Sequence, residues 1–174
     1  MTKTIEHYSE KAQHYYDLYN SVDAESVHGD WKAFLQNTKA GTALDVGAGS
    51  GRDANWLAEQ GWKVTAAEPA DELRNLAQAN SNNSVTWCNA SLPALTALPQ
   101  AQKTYDLILL SAVWMHLSEA ERPPALKRLA ELLSENGTIY ISLRFGPNDE
   151  ARPMHPVSYE EVATLVKDNG LSAR

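Results

Sequence analysis

The chain has 174 residues, 43% apolar and 21% charged, a length and composition that predict a single globular domain over residues 1–174. Its 22 acidic against 15 basic side chains give a net charge of −7, which argues against general affinity for nucleic-acid backbones. The lone Cys88 excludes an intrachain disulfide and a cysteine-rich metal site, and no apolar run of membrane-span length or signal-peptide type is present, so a cytoplasmic location is expected.

In chain order, Tyr8, Ala12, Tyr15, Tyr16 and Tyr19 fall on one face of a predicted helix, and a second short helix is predicted over about residues 27–35. Residues 1–40 are thus a helical segment before an α/β core at 41–174. The tyrosine stripe has two readings. It either packs onto the core or forms a lid whose hydroxyls reach a ligand, with Tyr15 as a candidate substrate contact.

From residue 42 onward, short apolar runs alternate with segments of helical periodicity, the pattern of stacked β-α-β units around a mostly parallel sheet. Strands are predicted at 43–46, 63–67, 85–88, 107–110 and 138–143. The fourth and fifth are apolar on both faces, as buried central strands should be. Leu126, Leu129, Ala130 and Leu133 mark a helix, with Asn136-Gly137 as its stop signal. Ser158-Tyr159-Glu160-Glu161 has capping-box spacing and opens a helix with Val162, Leu165 and Val166 on one face, ending at Asn169-Gly170.

The main chemical signal is Leu44-Asp45-Val46-Gly47-Ala48-Gly49-Ser50-Gly51-Arg52, an apolar strand feeding a glycine-rich turn and then a helix. Glycines allow a ligand to approach the main chain, and the helix N-terminus presents free amides. The third glycine comes one residue too early for a dinucleotide fingerprint, which disfavours a nicotinamide dehydrogenase. No triphosphate-cradling loop of the G-x-x-x-x-G-K-[ST] type exists. The early glycine, with an acid two residues before the first, resembles motif I of the class I S-adenosylmethionine (SAM)-dependent methyltransferases.

That resemblance implies a Rossmann-like three-layer α/β/α sandwich with SAM as cofactor and S-adenosylhomocysteine as product. It places Gly47, Ala48, Gly49, Gly51 and Arg52 against the methionine moiety, with Asp45 orienting its ammonium group through water. Glu68 and Pro69, after the second strand, would meet the ribose, the carboxylate accepting from its hydroxyls. The loop Asn89-Ala90-Ser91-Leu92 would border the adenine, although family members often carry an Asp there that this chain lacks. Ser111, at the exit of the fourth strand, would be a further cofactor contact. The family fold ends with two further strands as an antiparallel hairpin. Only four residues follow Gly170, too few for either, so the fifth strand is expected to be an exposed edge through which two copies could pair.

Methyl transfer from a sulfonium needs alignment and, for a protonated nucleophile, a base. His116 is the base candidate because its unperturbed pKa is near neutrality, a structural histidine being the alternative. The segment of residues 144–149 should turn over the carboxyl edge of the sheet. Arg144 with His155 could hold an anionic substrate group, or anchor loops through carbonyls; Arg152 belongs to the same cluster. Trp114 and Met115 either fill core space or sandwich a substrate ring. The chain lacks the [DN]-P-P-[YFW] run of amino-methyltransferases acting on adenine or cytosine, the thiol set of arsenic methylation and the Pro-Cys context of cytosine C5 enzymes. A small-molecule methyl acceptor is therefore expected, with no membrane or nucleic-acid partner. A non-catalytic binding or assembly module on the same fold is the alternative.

Overall fold

The computed structural model describes residues 2–146 and 150–173. Four helices come first: α1 (Thr2–Glu10), α2 (Ala12–Asn20), α3 (Ala24–Val27) and α4 (Gly29–Gln36). The core then runs β1 (Thr42–Val46), α5 (Arg52–Glu59), β2 (Lys63–Ala67), α6 (Asp71–Ala79), β3 (Thr86–Cys88), β4 (Tyr105–Leu110), α7 (Arg122–Leu132), β5 (Leu133–Ile141) and α8 (Tyr159–Asp168). All strand pairings are parallel, in the order β3-β2-β1-β4-β5. The architecture is a Rossmann-like α/β fold with N-terminal helices, as the sequence predicts.

Alternation along the strands builds the layers. On one face Leu44, Val46, Ile108 and Leu110 meet Ala125, Leu126 and Leu129 of α7, with Val162, Leu165 and Val166 of α8 packed beside them. On the other, Ala43, Val64, Leu107 and Leu109 meet Ala54, Trp56 and Leu57 of α5 and Leu35 of α4. Each fully buried aliphatic side chain contributes about 1.5–3 kcal/mol, and the two-sided burial fixes β1 and β4 at the centre of the sheet. A third cluster joins Tyr15 to Ala70 and to Leu73 of α6, with Ile5, Tyr8, Ala12, Tyr16 and Tyr19 packed against it. The tyrosine stripe spans two helices rather than one, broken at Lys11.

The fifth strand lies at the end of the strand order and is partly exposed, the edge expected of it, and it is not buried on both faces as its apolar run suggests; it starts at Leu133, earlier than predicted. Asn136-Gly137 therefore does not stop a helix; it lies within an irregularity where pairing steps from Tyr105↔Leu133 to Leu107↔Thr138. A Cβ on Gly137 would stand 2.8 Å from Leu133 Cδ1 and 3.0 Å from the Tyr105 carbonyl oxygen, so only glycine lets the strands approach there.

At α8, Ser158 Oγ accepts from Glu161 N–H at 3.1 Å, as the capping spacing predicts. The Glu161 carboxylate does not complete the box. It accepts from buried Arg122 Nη1 at 2.7 and 2.8 Å, tying α8 to α7. Beyond Asp168, Gly170 takes φ +73°, and Leu171 N–H donates to the Val166 carbonyl, closing the helix. Residues 147–149, part of the predicted turn after the fifth strand, lie outside the described residues. Among the described residues no helix is long and apolar enough to cross a membrane.

Candidate functional site

The strand order reverses direction between β1 and β4, and open parallel sheets bind ligands in the crevice outside the carboxyl ends at such a point. A cavity of about 280 Å³ lies there. Its floor is Gly47, Ala48, Gly49 and Ser50 from the turn after β1; Arg52 and Asp53 of α5 and Glu68 and Pro69 after β2 flank them. Ser111, Ala112, Val113 and His116 come from the exit of β4 and Arg144 from that of β5. The roof includes Thr4, Ile5 and Tyr8 of α1, Tyr19 of α2 and Val27 of α3.

The turn is shaped by its glycines and fastened to its neighbour strand. Gly47 N–H and Ala48 N–H both donate to the Ala67 carbonyl, at 2.8 and 3.1 Å. Gly49 and Gly51 both take positive φ, but they face different neighbours. A Cβ on Gly49 would meet the Tyr19 ring at 3.6 Å, whereas one on Gly51 would run into Trp87 at 2.8 Å. Gly49 thus lies open to the cavity, and Gly51 lets α5 close onto β3.

Glu68 is the hinge between turn and helix. One carboxylate oxygen accepts from Gly49 N–H and the other from Ala70 N–H, each at 2.8 Å. Burial pushes its pKa up; the two amides and the Arg74 guanidinium pull it back without cancelling the rise. Each oxygen has a further lone pair, so the carboxylate retains acceptor capacity toward the cavity. Asp45 is 1% exposed and lies behind the turn rather than on the cavity wall. Its Oδ2 has no hydrogen-bond partner. Burial first, and then the nearby Asp53 carboxylate, hold the Asp45 pKa well above the ordinary range, against the pull of Arg52.

Asp53 has the opposite balance. Although burial opposes ionisation, His28 Nε2 at 2.9 Å and Arg52 Nε at 2.7 Å hold its carboxyl below the usual range. His28 lies between α3 and α4, so this buried pair fastens the N-terminal helices to α5. Arg52 Nη1 donating to the Tyr19 carbonyl at 3.4 Å, and Ser50 Oγ donating to Asn20 Oδ1 at 3.2 Å, add to the tie.

On the far wall, His116 sits in the short 3₁₀ turn Trp114–His116. Its Nδ1 lies 3.0 Å from the Pro153 carbonyl oxygen, which can only accept. Nδ1 therefore carries the proton, and Nε2 is left as an acceptor. Burial lowers the pKa of this imidazole; the Pro153 carbonyl opposes that, and the charges of Arg152 and Arg144 reinforce it.

The cavity brings together Gly47, Ala48, Gly49, Arg52, Glu68, Pro69, Ser111, His116 and Arg144 among the residues singled out from sequence. Gly51 supports the turn from behind. Asn89 is exposed, its Nδ2 donating to Asp71 Oδ1 at 3.2 Å, while Ala90 and Leu92 enter the core and Ser91 is half-buried. Tyr15 is buried between Tyr8 and Tyr19 and does not reach the cavity. Trp114 is fully buried in the core cluster under α7, which leaves no face for a substrate ring. His155 also lies outside the lining, its N–H donating to the Met115 carbonyl at 2.8 Å. Tyr8 and Tyr19 line the cavity as the lid reading of the tyrosine stripe expects, while Asp53, with Thr4, Ile5, Val27, Leu73 and Val113, was not placed here by sequence reasoning. Ala112 shares that position, at φ +54° on the cavity wall, a strained angle of the kind that gathers at ligand sites.

Comparison with known proteins bears on the family and the fold. A family profile described as "Methyltransferase domain" matches residues 43–137. An uncharacterized methyltransferase of Alkaliphilus oremlandii (strain OhILAs) is 30% identical over 136 residues, 77% of this chain and 61% of its own length. The probable S-adenosyl-L-methionine-dependent methyltransferase TehB of Haemophilus influenzae is 25% identical across 95% of this chain and 56% of its own length. The chain thus spans about half to three fifths of the length of several curated relatives it matches. Among solved structures, Burkholderia thailandensis 1,6-didemethyltoxoflavin-N1-methyltransferase, with bound 1,6-didemethyltoxoflavin and S-adenosylhomocysteine, superposes with a TM-score of 0.72. That alignment is 22% identical and covers 97% of this chain and 76% of the other.

Proposed function

The chain belongs to the class I SAM-dependent methyltransferase family, and on that premise we propose that it transfers a methyl group from SAM to a small-molecule acceptor in the cavity at the β1–β4 crevice. The observation that carries this reading is the convergence on one cavity of a bare glycine turn, a carboxylate with spare acceptor capacity and an imidazole with a free acceptor nitrogen.

The residues present fit the cofactor. Asp45 Oδ2 is a buried carboxylate oxygen without a hydrogen-bond partner, set behind the turn, from where it would orient an ammonium group through water. Glu68 faces the cavity where hydroxyl donors would complete its shell, and Gly49 offers main chain without a side chain in the way. When bound, SAM supplies a methyl group on a sulfonium that leaves as a neutral thioether. His116 Nε2 would take the proton of an acceptor N–H or O–H, while Nδ1, donating to Pro153, keeps the ring oriented. Tyr8 and Tyr19 would roof the pair of ligands against water, the lid role for residues 1–40.

The test is calorimetric titration with S-adenosylhomocysteine, followed by a screen of small acceptors read as release of that product. Binding in the micromolar range with turnover of one acceptor is the expected result. Absence of binding would sink the reading and favour a non-catalytic module. One observation leans that way: Asn89 is engaged by Asp71, and Ala90 and Leu92 are in the core, so the side expected to hold adenine has few free side-chain donors.

A further inference from the structure

The two walls of the cavity differ in charge. On the glycine-turn side every carboxylate that lines it is engaged: Glu68 by the Gly49 and Ala70 amides, Asp53 by Arg52 and His28. On the opposite side, among the described residues, no carboxylate appears in the lining. Arg144 lines the cavity as it leaves β5, and it forms no salt bridge among the described residues. The Arg152 guanidinium lies over the rings of Tyr15 and Tyr8, 5.3 and 5.9 Å from their centroids, and adds a second positive charge beside His116.

Hydrogen-bond direction sharpens the picture. Tyr8 Oη accepts from Tyr19 Oη at 3.2 Å and from Arg152 Nη1 at 3.4 Å. With both acceptor positions taken, its own O–H remains to be donated, and Tyr8 lines the cavity. This end of the cavity thus presents cationic and hydroxyl donors around one acceptor, His116 Nε2. A ligand that satisfies it carries an anionic group next to a single proton-bearing atom.

We infer that the acceptor is a small acid, whose carboxylate or phosphate is held by Arg144 and the Tyr8 hydroxyl while its N–H or O–H faces His116. The inference rests on the methyl-transfer reading for the word acceptor, but the anion subsite is a property of Arg144, Arg152 and Tyr8 alone. Charge-assisted bonds are roughly twice as strong as neutral ones and gain further in a site shielded from water.

The experiment titrates benzoate, phenyl phosphate and the neutral benzamide into the protein saturated with S-adenosylhomocysteine, by calorimetry. Both anions should bind about ten-fold or more tightly than benzamide. Arg144→Gln should erase that preference with circular dichroism unchanged, and Tyr8→Phe should reduce it several-fold. Equal binding of benzamide, no binding of either anion, or a preference that survives Arg144→Gln would overturn the inference. Binding of S-adenosylhomocysteine itself is read separately. If it fails, the methyl-transfer reading falls, and the same titrations on the free protein still judge the subsite.

Discussion

His116 can act as a base only while neutral, and its surroundings favour that form. Burial, Arg152 and Arg144 depress its pKa from the ordinary value of 6.5, against the Pro153 carbonyl. The neutral form prevails above the folded pKa, so the rate should fall as pH drops through a value below 6.5. Replacing Arg144 by Gln removes a cation, raises the imidazole pKa and should move that acid limb upward. His116→Asn should lower kcat by about 10²–10⁴-fold with the affinity for S-adenosylhomocysteine unchanged. An acid limb unaffected by either change would assign the proton elsewhere. Asp45 gives a second prediction at this scale. Its carboxylate is buried behind the turn with Oδ2 unpartnered, an arrangement that costs the fold and makes sense where a cationic ligand is reached through water. Asp45→Asn should weaken S-adenosylhomocysteine binding about ten-fold or more, about 1.4 kcal/mol per decade, without lowering the thermal midpoint of the free protein. A midpoint that falls along with affinity would make Asp45 a structural residue.

At the scale of elements, two glycines in one turn should respond in opposite ways. Both hold positive φ, so any side chain costs about 1 kcal/mol or more of backbone strain. Gly49→Val adds bulk facing Tyr19 and the cavity, and should abolish cofactor binding while the sheet survives. Gly51→Val drives a side chain into Trp87 and should unfold the α5–β3 contact, seen as a fall in thermal midpoint larger than that of Gly49→Val. Equal midpoints with retained binding in the Gly49 variant would refute the assignment. This turn was legible from sequence because its signals are local: an apolar strand, glycines at fixed offsets, and an acid at the end of the next strand. The roof was not legible to the same degree. Helical periodicity groups Tyr8, Tyr15 and Tyr19, but which of them reaches a ligand depends on how α1 and α2 dock on α6, and the buried one is Tyr15. His155 and Trp114 illustrate the same limit, since closeness in sequence to a strand end does not fix side-chain direction. β5 misled for a further reason: Asn136-Gly137 suits a helix stop and a strand irregularity equally, and only the approach to the Tyr105 carbonyl decides between them.

Over the whole molecule, the three buried acids around the turn set how stability should vary with pH. Asp53 has a depressed pKa; even though its burial raises it, His28 and Arg52 win, so its contribution is present above the unfolded value near 3.9 and lost as pH falls through the lower folded value. Asp45 and Glu68 are shifted the other way, burial being the largest cause for both. Between their unfolded pKa values, about 3.9 and 4.3, and their raised folded ones, the native state binds more protons than the unfolded chain, so stability drops as pH rises through that interval. The free protein should therefore be most stable at mildly acid pH, lose the His28–Asp53 tie in strong acid, and weaken toward neutrality as the other two carboxylates ionise in place. A bound ammonium and bound hydroxyls would favour those ionised forms, so S-adenosylhomocysteine should raise the thermal midpoint more at pH 7.5 than at pH 5. Thermal melts from pH 4 to 8, with and without the product, measure both trends. Asp45→Asn should flatten the decline toward neutrality, and His28→Ala should shrink the loss in acid, because Asp53 without His28 has a folded pKa nearer its unfolded one. A free-protein midpoint that climbs steadily to pH 8, with an equal ligand effect throughout, would show that the buried acids are already ionised and satisfied without the ligand.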